Sequence, residues 1–365
     1  MTTKEHKVLP TLRIGELEIY PPIIQGGMGV RVSRAGLASA VANTGCVGVI
    51  ASVCLGEFEH VPTNRFVEVN YQALRDEIRK ARKLSNGIIG VNIMVAITNY
   101  DSLVTASLEE GIDMIISGAG LPLELPKYAT KGQKTKLIPI VSSARAFNII
   151  VQRWLGRYNR LPDAVVVEGP LAGGHLGFAF DDIISGKTPT LEEIIVEVVA
   201  AAKTASPDNP IPVIAAGGIF DGGDIVKFIN LGASGVQMAT RFVCTDECDV
   251  DDKFKQMYLK STKDDITIVK SPVGMPGRVF RNEFVDKVQH GDTTEKYCTF
   301  KCLKTCNPKA IPYCIAKVLT NAAAGNLDAG FVFTGANGWR CNEIIPVKTL
   351  VQRLIDEADV VLNPR

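Results

Sequence analysis

One stretch of this 365-residue chain joins a buried-strand pattern to a titratable side chain. Residues 165–175 are Val-Val-Val-Glu-Gly-Pro-Leu-Ala-Gly-Gly-His, so a β-branched run ends at Glu168 and a glycine-rich turn leads to His175. Imidazole titrates near neutral pH, and glycines let a ligand approach the backbone closely. The pattern makes His175 a candidate catalytic group. An ordinary loop histidine is the alternative, because most histidines take no part in catalysis.

Two other glycine motifs are suited to a phosphate group. Residues 215–219 are Ala-Ala-Gly-Gly-Ile, and residues 235–241 are Gly-Val-Gln-Met-Ala-Thr-Arg. Exposed glycine N–H groups and a helix N-terminus together attract an anion. In α/β barrels, the loops after strands seven and eight commonly form such a site. We therefore expect a ligand that carries a phosphate.

Weaker signals come from residues 25–29, Gln-Gly-Gly-Met-Gly, and from Asn92 in an apolar run. The glycines allow a flat ligand to approach, and Met28 offers an adaptable apolar contact. A plain turn at residues 25–29 and a buried structural hydrogen bond for Asn92 are the alternatives. Three serines at predicted strand ends, Ser117, Ser142 and Ser143, are candidate hydroxyl contacts or helix caps.

Short apolar runs alternate with amphipathic segments along the chain, which predicts an α/β fold of the TIM (β/α)8 barrel type. The predicted strands are Ile23–Gln25, Val47–Ala51, Ile88–Met94, Met114–Ser117, Leu137–Val141, Ala164–Val167, Val213–Ala216 and Gly235–Met238. The predicted helices between them are Arg34–Asn43, Tyr71–Leu84, Tyr100–Glu110, Leu121–Lys131, Ala144–Tyr158, Leu191–Thr204 and Gly222–Asn230. An open doubly wound sheet is the competing architecture.

A barrel needs about 250 residues, so this chain has a surplus. We expect residues 15–243 and 311–365 to form the barrel, and residues 244–310 to form an insertion after strand eight that makes a lid or small second domain. Within it, the prolines and glycines of Ser271–Arg278 predict an ordered loop. A surface insertion without function is the alternative.

Composition excludes several classes of protein. Hydrophobic residues make up 46%, charged residues 22%, and the net charge of +1 comes from interleaved signs, so we expect no nucleic-acid partner. No apolar run is long enough to span a bilayer, and the first residues lack the apolar core of a signal peptide. With nine cysteines, this pattern predicts a reducing, cytoplasmic location with thiols free or bound to metal.

In order and spacing, five of these motifs resemble the nitronate monooxygenase family, formerly called 2-nitropropane dioxygenases. They are Gln-Gly-Gly-Met-Gly, Gly-Val-Asn, Gly-Pro-Leu-Ala-Gly-Gly-His, Ala-Ala-Gly-Gly-Ile and Gln-Met-Ala-Thr-Arg-Phe, and they lie within residues 15–285. FMN-dependent enoyl-acyl-carrier-protein reductases and NADH:quinone reductases are close relatives of the family. The resemblance implies that the phosphate ligand is FMN.

By the same resemblance, individual residues acquire roles. His175 matches the histidine near the reactive flavin nitrogen N5. The cofactor-binding residues expected at the ring or along the ligand are Gly26, Gly27, Met28, Asn92, Glu168, Gly173 and Gly174. Those expected at the phosphate end are Gly217, Gly218, Gln237, Met238, Ala239 and Thr240.

The leading function that follows is FMN-dependent oxidation of alkyl nitronates by O2 to carbonyl compounds and nitrite. The Gly-Gly-Met of the first motif is closer to the enoyl reductases, so the alternative is an NAD(P)H-dependent FMN enoyl-acyl-carrier-protein or quinone reductase. A flavin-binding sensor barrel without turnover is a third hypothesis. We expect a small-molecule substrate, NAD(P)H as a candidate reductant and a homodimer as a candidate assembly.

Besides the Gly-Gly-Met motif, the chain departs from the family pattern in the group Cys298, Cys302, Cys306 and Cys314. Spacings of four predict that the first three thiols share one helix face, although Pro308 and Pro312 interrupt such a helix. Zinc or an iron–sulfur cluster is one interpretation of four soft ligands. Because the spacing is not a usual one for either, we expect reduced thiols and no metal.

Overall fold

The structure is a computed structural model that describes residues 8–56, 65–130, 132–292, 298 and 301–364. Its strands are β1 (Leu12–Ile14), β2 (Leu17–Ile19), β3 (Ile23–Gln25), β4 (Gly48–Ala51), β5 (Ile89–Met94), β6 (Met114–Gly118), β7 (Lys136–Val141), β8 (Val165–Glu168), β9 (Gly174–His175), β10 (Val213–Ala216), β11 (Gly235–Met238), β12 (Ile266–Lys270) and β13 (Pro276–Phe280). Its helices are α1 (Ala35–Ala42), α2 (Phe66–Leu84), α3 (Tyr100–Glu109), α4 (Ala144–Tyr158), α5 (Phe180–Ile184), α6 (Leu191–Ala205), α7 (Gly222–Asn230), α8 (Thr240–Val243), α9 (Asp252–Lys260), α10 (Glu283–Gln289), α11 (Ile315–Ala323) and α12 (Val347–Leu362).

Eight parallel strands, β3 to β8 together with β10 and β11, lie side by side in chain order. The ring closes between its first two strands, where the Gln25 N–H donates to Val47 O at 2.9 Å and the Val47 N–H donates to Ile23 O at 3.0 Å. The buried Gln25 side chain reinforces this seam by accepting the Val49 N–H at 2.9 Å. The TIM-barrel prediction is confirmed, because runs buried on both faces favour parallel strands covered by helices.

The N-terminal end of the barrel is plugged by the β1–β2 hairpin. Leu12, Ile14 and Ile19 are fully buried and join the apolar side chains that fill the barrel interior. Because this end is filled, open space for a ligand remains at the other rim, where the carboxyl ends of the strands meet.

One predicted helix was wrong. The described part of Leu121–Lys131 forms only a 3-10 turn at Leu125–Tyr128, because Pro122 and Pro126 cannot donate to a helical ladder, and Lys131 lies outside the described residues. The turn is held from outside: the Trp154 indole N–H donates to Pro122 O at 3.0 Å. The other six predicted helices form, and α2 begins earlier than predicted, at Phe66.

Described residues between β11 and α12 cover the open rim. Its hairpin β12–β13 pairs with the short β9, where Gly277 lies opposite His175. The prediction of a loop across Ser271–Arg278 was therefore wrong in its second half. Pro276 is tolerated as the first residue of β13, and the turn itself is restricted to residues 271–275.

The cysteine segment also differs from expectation. None of the described residues between Cys298 and Cys306 is helical, and Leu303 instead forms an antiparallel bridge with Ile97. After α11, helix α12 packs against α7 on the barrel wall.

The division of the chain at residues 243/244 and 310/311 stays a prediction.

Candidate functional site

The carboxyl ends of the barrel strands surround one cavity of about 720 Å³. Every residue that the family resemblance assigned to catalysis or cofactor binding lines it. These residues are Gly26, Gly27, Met28, Asn92, Glu168, Gly173, Gly174, His175, Gly217, Gly218, Gln237, Met238, Ala239 and Thr240. Such a volume is typical of a pocket for a cofactor-sized ligand. Residues from β3, β5, β8, β10 and β11 meet here because parallel strands present their carboxyl ends at the same rim.

His175 is held at the cavity wall by Ser271 of the insertion and by Phe333, which lies after the insertion in the chain. Its Nε2 lies 2.7 Å from the Ser271 hydroxyl oxygen, and Phe333 packs edge-on at 5.0 Å between ring centroids. Burial lowers the pKa of the imidazole to about 4. His175 is therefore neutral at neutral pH, with a ring nitrogen able to accept a proton.

Sequence reasoning missed the segment Phe333–Gly335, which lines the same cavity. It is tied to the predicted site: the Gly335 N–H donates to the Thr240 hydroxyl at 3.3 Å, and a Cβ on Gly173 would lie 2.7 Å from Gly335 N. An aromatic and β-branched run that ends in Thr-Gly was an available signal, since such runs are typical of strands that end at a turn.

Gly217 and Gly218 form a bare, tightly packed cradle. Both have left-handed backbone conformations, with φ of +97° and +84°. A Cβ on Gly217 would lie 3.0 Å from Ala172 N, and one on Gly218 would lie 2.9 Å from the Leu171 side chain. Only glycine fits both the conformation and the space, which leaves the backbone open to the cavity.

The glycines of the first motif, Gly26 and Gly27, also pack closely against neighbouring side chains. A Cβ on Gly27 would overlap the Asn92 side chain, and one on Gly26 would lie 3.3 Å from the Gln237 side chain. The Oε1 atom of Gln237 is buried and has no partner among the described residues. A buried polar oxygen without a hydrogen-bond partner lowers the stability of the fold unless a ligand donates to it. This oxygen therefore indicates a bound polar molecule.

The serine predictions separate into two outcomes. Ser143 caps α4 by accepting the Ala146 N–H at 3.2 Å, and both Ser142 and Ser143 line the cavity. Ser117 is fully buried and bonds to the Tyr100 hydroxyl at 3.0 Å, away from the cavity wall. The structural alternative therefore describes Ser117, whereas Ser143 is both a helix cap and a cavity-lining residue.

Glu168 is a further titratable group of the cavity. It ends β8 beside Ala216, and no ion pair to it occurs in the described part of the chain. Burial raises the pKa of its carboxyl from about 4.5 to about 7. The carboxyl is therefore partly protonated at neutral pH and can donate or accept a hydrogen bond toward a ligand.

Replacing Glu168 with glutamine should change how stability depends on pH in the protein without a bound ligand. Because the pKa is raised in the folded state, the contribution of Glu168 to the free energy of unfolding is fully present below pH 4.5. It is lost as pH rises through about 7. At pH 8.5 the Glu168→Gln variant should exceed the parent in free energy of unfolding by up to about 3 kcal/mol. Urea unfolding from pH 4.5 to 8.5 measures the difference. The control variant Glu197→Gln, at an exposed position, should show the same pH dependence of stability as the parent. Equal curves for all three proteins would contradict the raised pKa assigned to Glu168.

The model of the nitronate monooxygenase family matches residues 11–357. Among similar proteins, a "Probable nitronate monooxygenase" of Staphylococcus saprophyticus is 27% identical, covering 78% of this chain and 82% of the relative. A Mycobacterium tuberculosis protein named (3aS,4S,5R,7aS)-5-hydroxy-7a-methyl-1-oxo-octahydro-1H-indene-4-carboxyl-CoA dehydrogenase is 30% identical over 75% of this chain, and the match covers 66% of that relative.

Solved structures agree in fold. FabK from Thermotoga maritima superposes with a TM-score of 0.73, at 29% identity and 95% coverage of both chains. A nitroalkane oxidase from Streptomyces ansochromogenes gives a TM-score of 0.70 over 92% of this chain and 95% of its own, at 21% identity that supports the fold alone.

The chain belongs to the nitronate monooxygenase family, because the family model spans nearly all of it. It is an oxidoreductase of the monooxygenase type, in a family whose members generally depend on a flavin. None of the described helices combines the length and apolar character needed to cross a bilayer.

Proposed function

We propose that this protein binds FMN and oxidises alkyl nitronates with O2 to carbonyl compounds and nitrite. The observation that carries the proposal is one cavity bounded both by the glycine cradle and by a neutral, buried histidine. The first suits a phosphate-bearing cofactor, and the second suits chemistry at a carbon atom next to a nitro group.

Features of the cavity support FMN as the cofactor. The cradle of Gly217 and Gly218 would offer backbone N–H groups to a phosphate, and Thr240 lines the same cavity. Gln237 Oε1 is buried without a hydrogen-bond partner among the described residues, so it can accept a hydrogen bond from the ligand. Gly27 and Asn92 would border the flat ring system. When bound, FMN supplies the two-electron chemistry that amino-acid side chains lack.

His175 would act differently on the two forms of the substrate. A nitronate is already an anion, so the imidazole would stabilise its charge by donating a hydrogen bond. A neutral nitroalkane must lose a proton from carbon, which the neutral imidazole can accept. Ser271 and Phe333 orient the ring for either task, since they fix one edge and one face of it.

A second candidate is an NAD(P)H-dependent reductase of an enoyl thioester or quinone. The Gly26-Gly27-Met28 motif and the 29% identity to FabK favour it, as does the CoA thioester in the mycobacterial relative's name. Under this alternative NAD(P)H would be a second ligand of the same cavity.

Anaerobic mixing of the FMN-loaded protein with each substrate separates these functions. We expect propyl-2-nitronate to bleach the flavin absorbance, and NADH and NADPH to do so much more slowly. Rapid bleaching by NADH or NADPH alone would overturn the proposal in favour of the reductase. Bound flavin that none of the three reduces would favour a sensor module.

Cytoplasmic location and a homodimer remain predictions. All nine cysteines are free thiols, which supports a reducing compartment. Size-exclusion chromatography with light scattering would test the dimer.

A further inference from the structure

A short segment near the end of the chain, residues 334–340, contacts the glycine cradle from outside the cavity. The Asn337 side-chain N–H donates to Gly218 O at 2.6 Å, and Asn337 is not among the residues that line the cavity. One residue earlier, the Ala336 N–H donates to Leu171 O at 3.1 Å, and the Leu171 side chain lies beside Gly218. The segment therefore holds both the second glycine of the cradle and its nearest neighbour.

The Asn337 contact fixes the direction of the peptide group between Gly218 and Ile219. This peptide group is trans, so its C=O and its N–H lie in one plane and point in opposite directions. The C=O points to Asn337, outside the cavity, whereas Gly218 and Ile219 both line the cavity. The Ile219 N–H therefore points away from Asn337 and is open to a ligand in the cavity.

Two backbone donors next to this contact have no acceptor within the described part of the chain. The N–H groups of Gly218 and Ile219 donate to no other described residue, although Ile219 is only 6% exposed. The following N–H, that of Phe220, donates to the Asp224 carboxylate at 2.8 Å and is not available. A buried N–H without an acceptor destabilises a fold unless a ligand accepts from it, so these two donors indicate a ligand with acceptor oxygens.

The same segment is anchored a second time through Arg340. Its guanidinium lies 2.8 Å from the Asp221 carboxylate, which also caps α7 by accepting the Asp224 N–H at 3.0 Å. Arg340 and Arg241 both lie over the Phe220 ring, with their guanidinium carbons 4.2 and 4.6 Å from its centroid. Two positive charges therefore lie along the loop that follows the cradle, where they favour an anionic ligand.

We propose that residues 334–340 position the loop after β10 for the phosphate of the cofactor. Asn337 is the positioning residue, because it turns the Ile219 N–H toward the cavity, and Arg340 keeps the segment against the loop. The inference rests on the proposed binding of FMN. Neither side chain needs to touch the ligand, so their effect should be confined to the end of the ligand that carries the phosphate. Riboflavin has the ring and ribityl chain of FMN without the phosphate, which makes that effect measurable.

Parallel fluorescence titrations of the ligand-free protein with FMN and with riboflavin test the proposal. Asn337→Ala should weaken FMN binding about tenfold, because it releases a donor to a charged oxygen, and should change riboflavin binding by less than about twofold. Arg340→Gln should weaken FMN binding about threefold, again with little effect on riboflavin.

Asn321→Ala is the matched control. Asn321 also donates a side-chain N–H to a backbone carbonyl, Ala329 O at 3.0 Å, but it does not line the cavity or contact the cradle. Its replacement should leave both affinities unchanged. Circular dichroism and urea unfolding of each variant report folding separately, and Arg340→Gln tests the same segment if Asn337→Ala fails to fold.

Unchanged FMN affinity in the folded variants would overturn the positioning role. Equal losses for FMN and riboflavin would also overturn it, because general loosening of the fold acts on both ligands. Wild-type protein that binds FMN no more tightly than riboflavin would refute this inference alone. A selective loss of FMN affinity in a protein that does not oxidise nitronates would refute the proposed reaction and leave the inference intact, and wild-type protein that binds neither flavin would refute both.

Discussion

Replacing His175 with alanine should lower the turnover of neutral nitroalkanes by roughly two to four orders of magnitude. The imidazole is the only histidine side chain that lines the cavity among the described residues, and burial holds its pKa at about 4, so it is neutral and able to accept a proton. Steady-state kinetics with nitroethane, followed by nitrite release, measures the loss. Flavin should remain bound, because the glycine cradle does not involve the imidazole.

The same variant should oxidise a preformed nitronate with a much smaller loss, because that substrate needs no deprotonation. His290→Ala is the matched control: His290 is exposed on the end of α10 and should leave both reactions unchanged. Equal losses with the neutral and anionic substrates would show that His175 is not a base.

Replacing Gly217 with alanine should weaken FMN binding by roughly tenfold or more. At φ of +97° an alanine is strained, and its Cβ would crowd Ala172 N at 3.0 Å and Gly169 O at 3.1 Å. To relieve the contact the backbone must move, and the cradle moves with it. Fluorescence titration of the flavin-free protein with FMN measures the affinity.

Gly232 supplies a matched control for backbone strain. It has almost the same φ, +98°, in the turn between α7 and β11, and a Cβ there would meet only the Val199 side chain. Both alanine variants should lower the free energy of unfolding by about 1–2 kcal/mol. Only Gly217→Ala should lose FMN affinity; if Gly232→Ala loses it equally, the effect comes from general destabilisation.

The barrel strands were predictable from local sequence. Runs such as Val165–Glu168 are apolar on both faces, and burial on both faces is what a parallel strand covered by helices requires. Once the strands are known, closure of the barrel places their carboxyl ends at one rim, so Gly217, Gln237 and His175 had to meet there.

Contacts between distant segments were not predictable. Ser271 and Phe333 hold His175, although they lie far from it in the chain and carry no motif. The cysteine spacing suggested a helix, but pairing of residues 302–304 with the loop after β5 overrode that local preference. The shifted pKa values of His175 and Glu168 likewise depend on burial.

The sequence by itself determined the barrel, its rim and the residue types that face the cavity, because strand and turn preferences act over a few neighbouring residues. Only the tertiary structure decided how the insertion covers the rim and which protonation states the cavity favours. Those features depend on burial and on packing between segments that are remote in the chain.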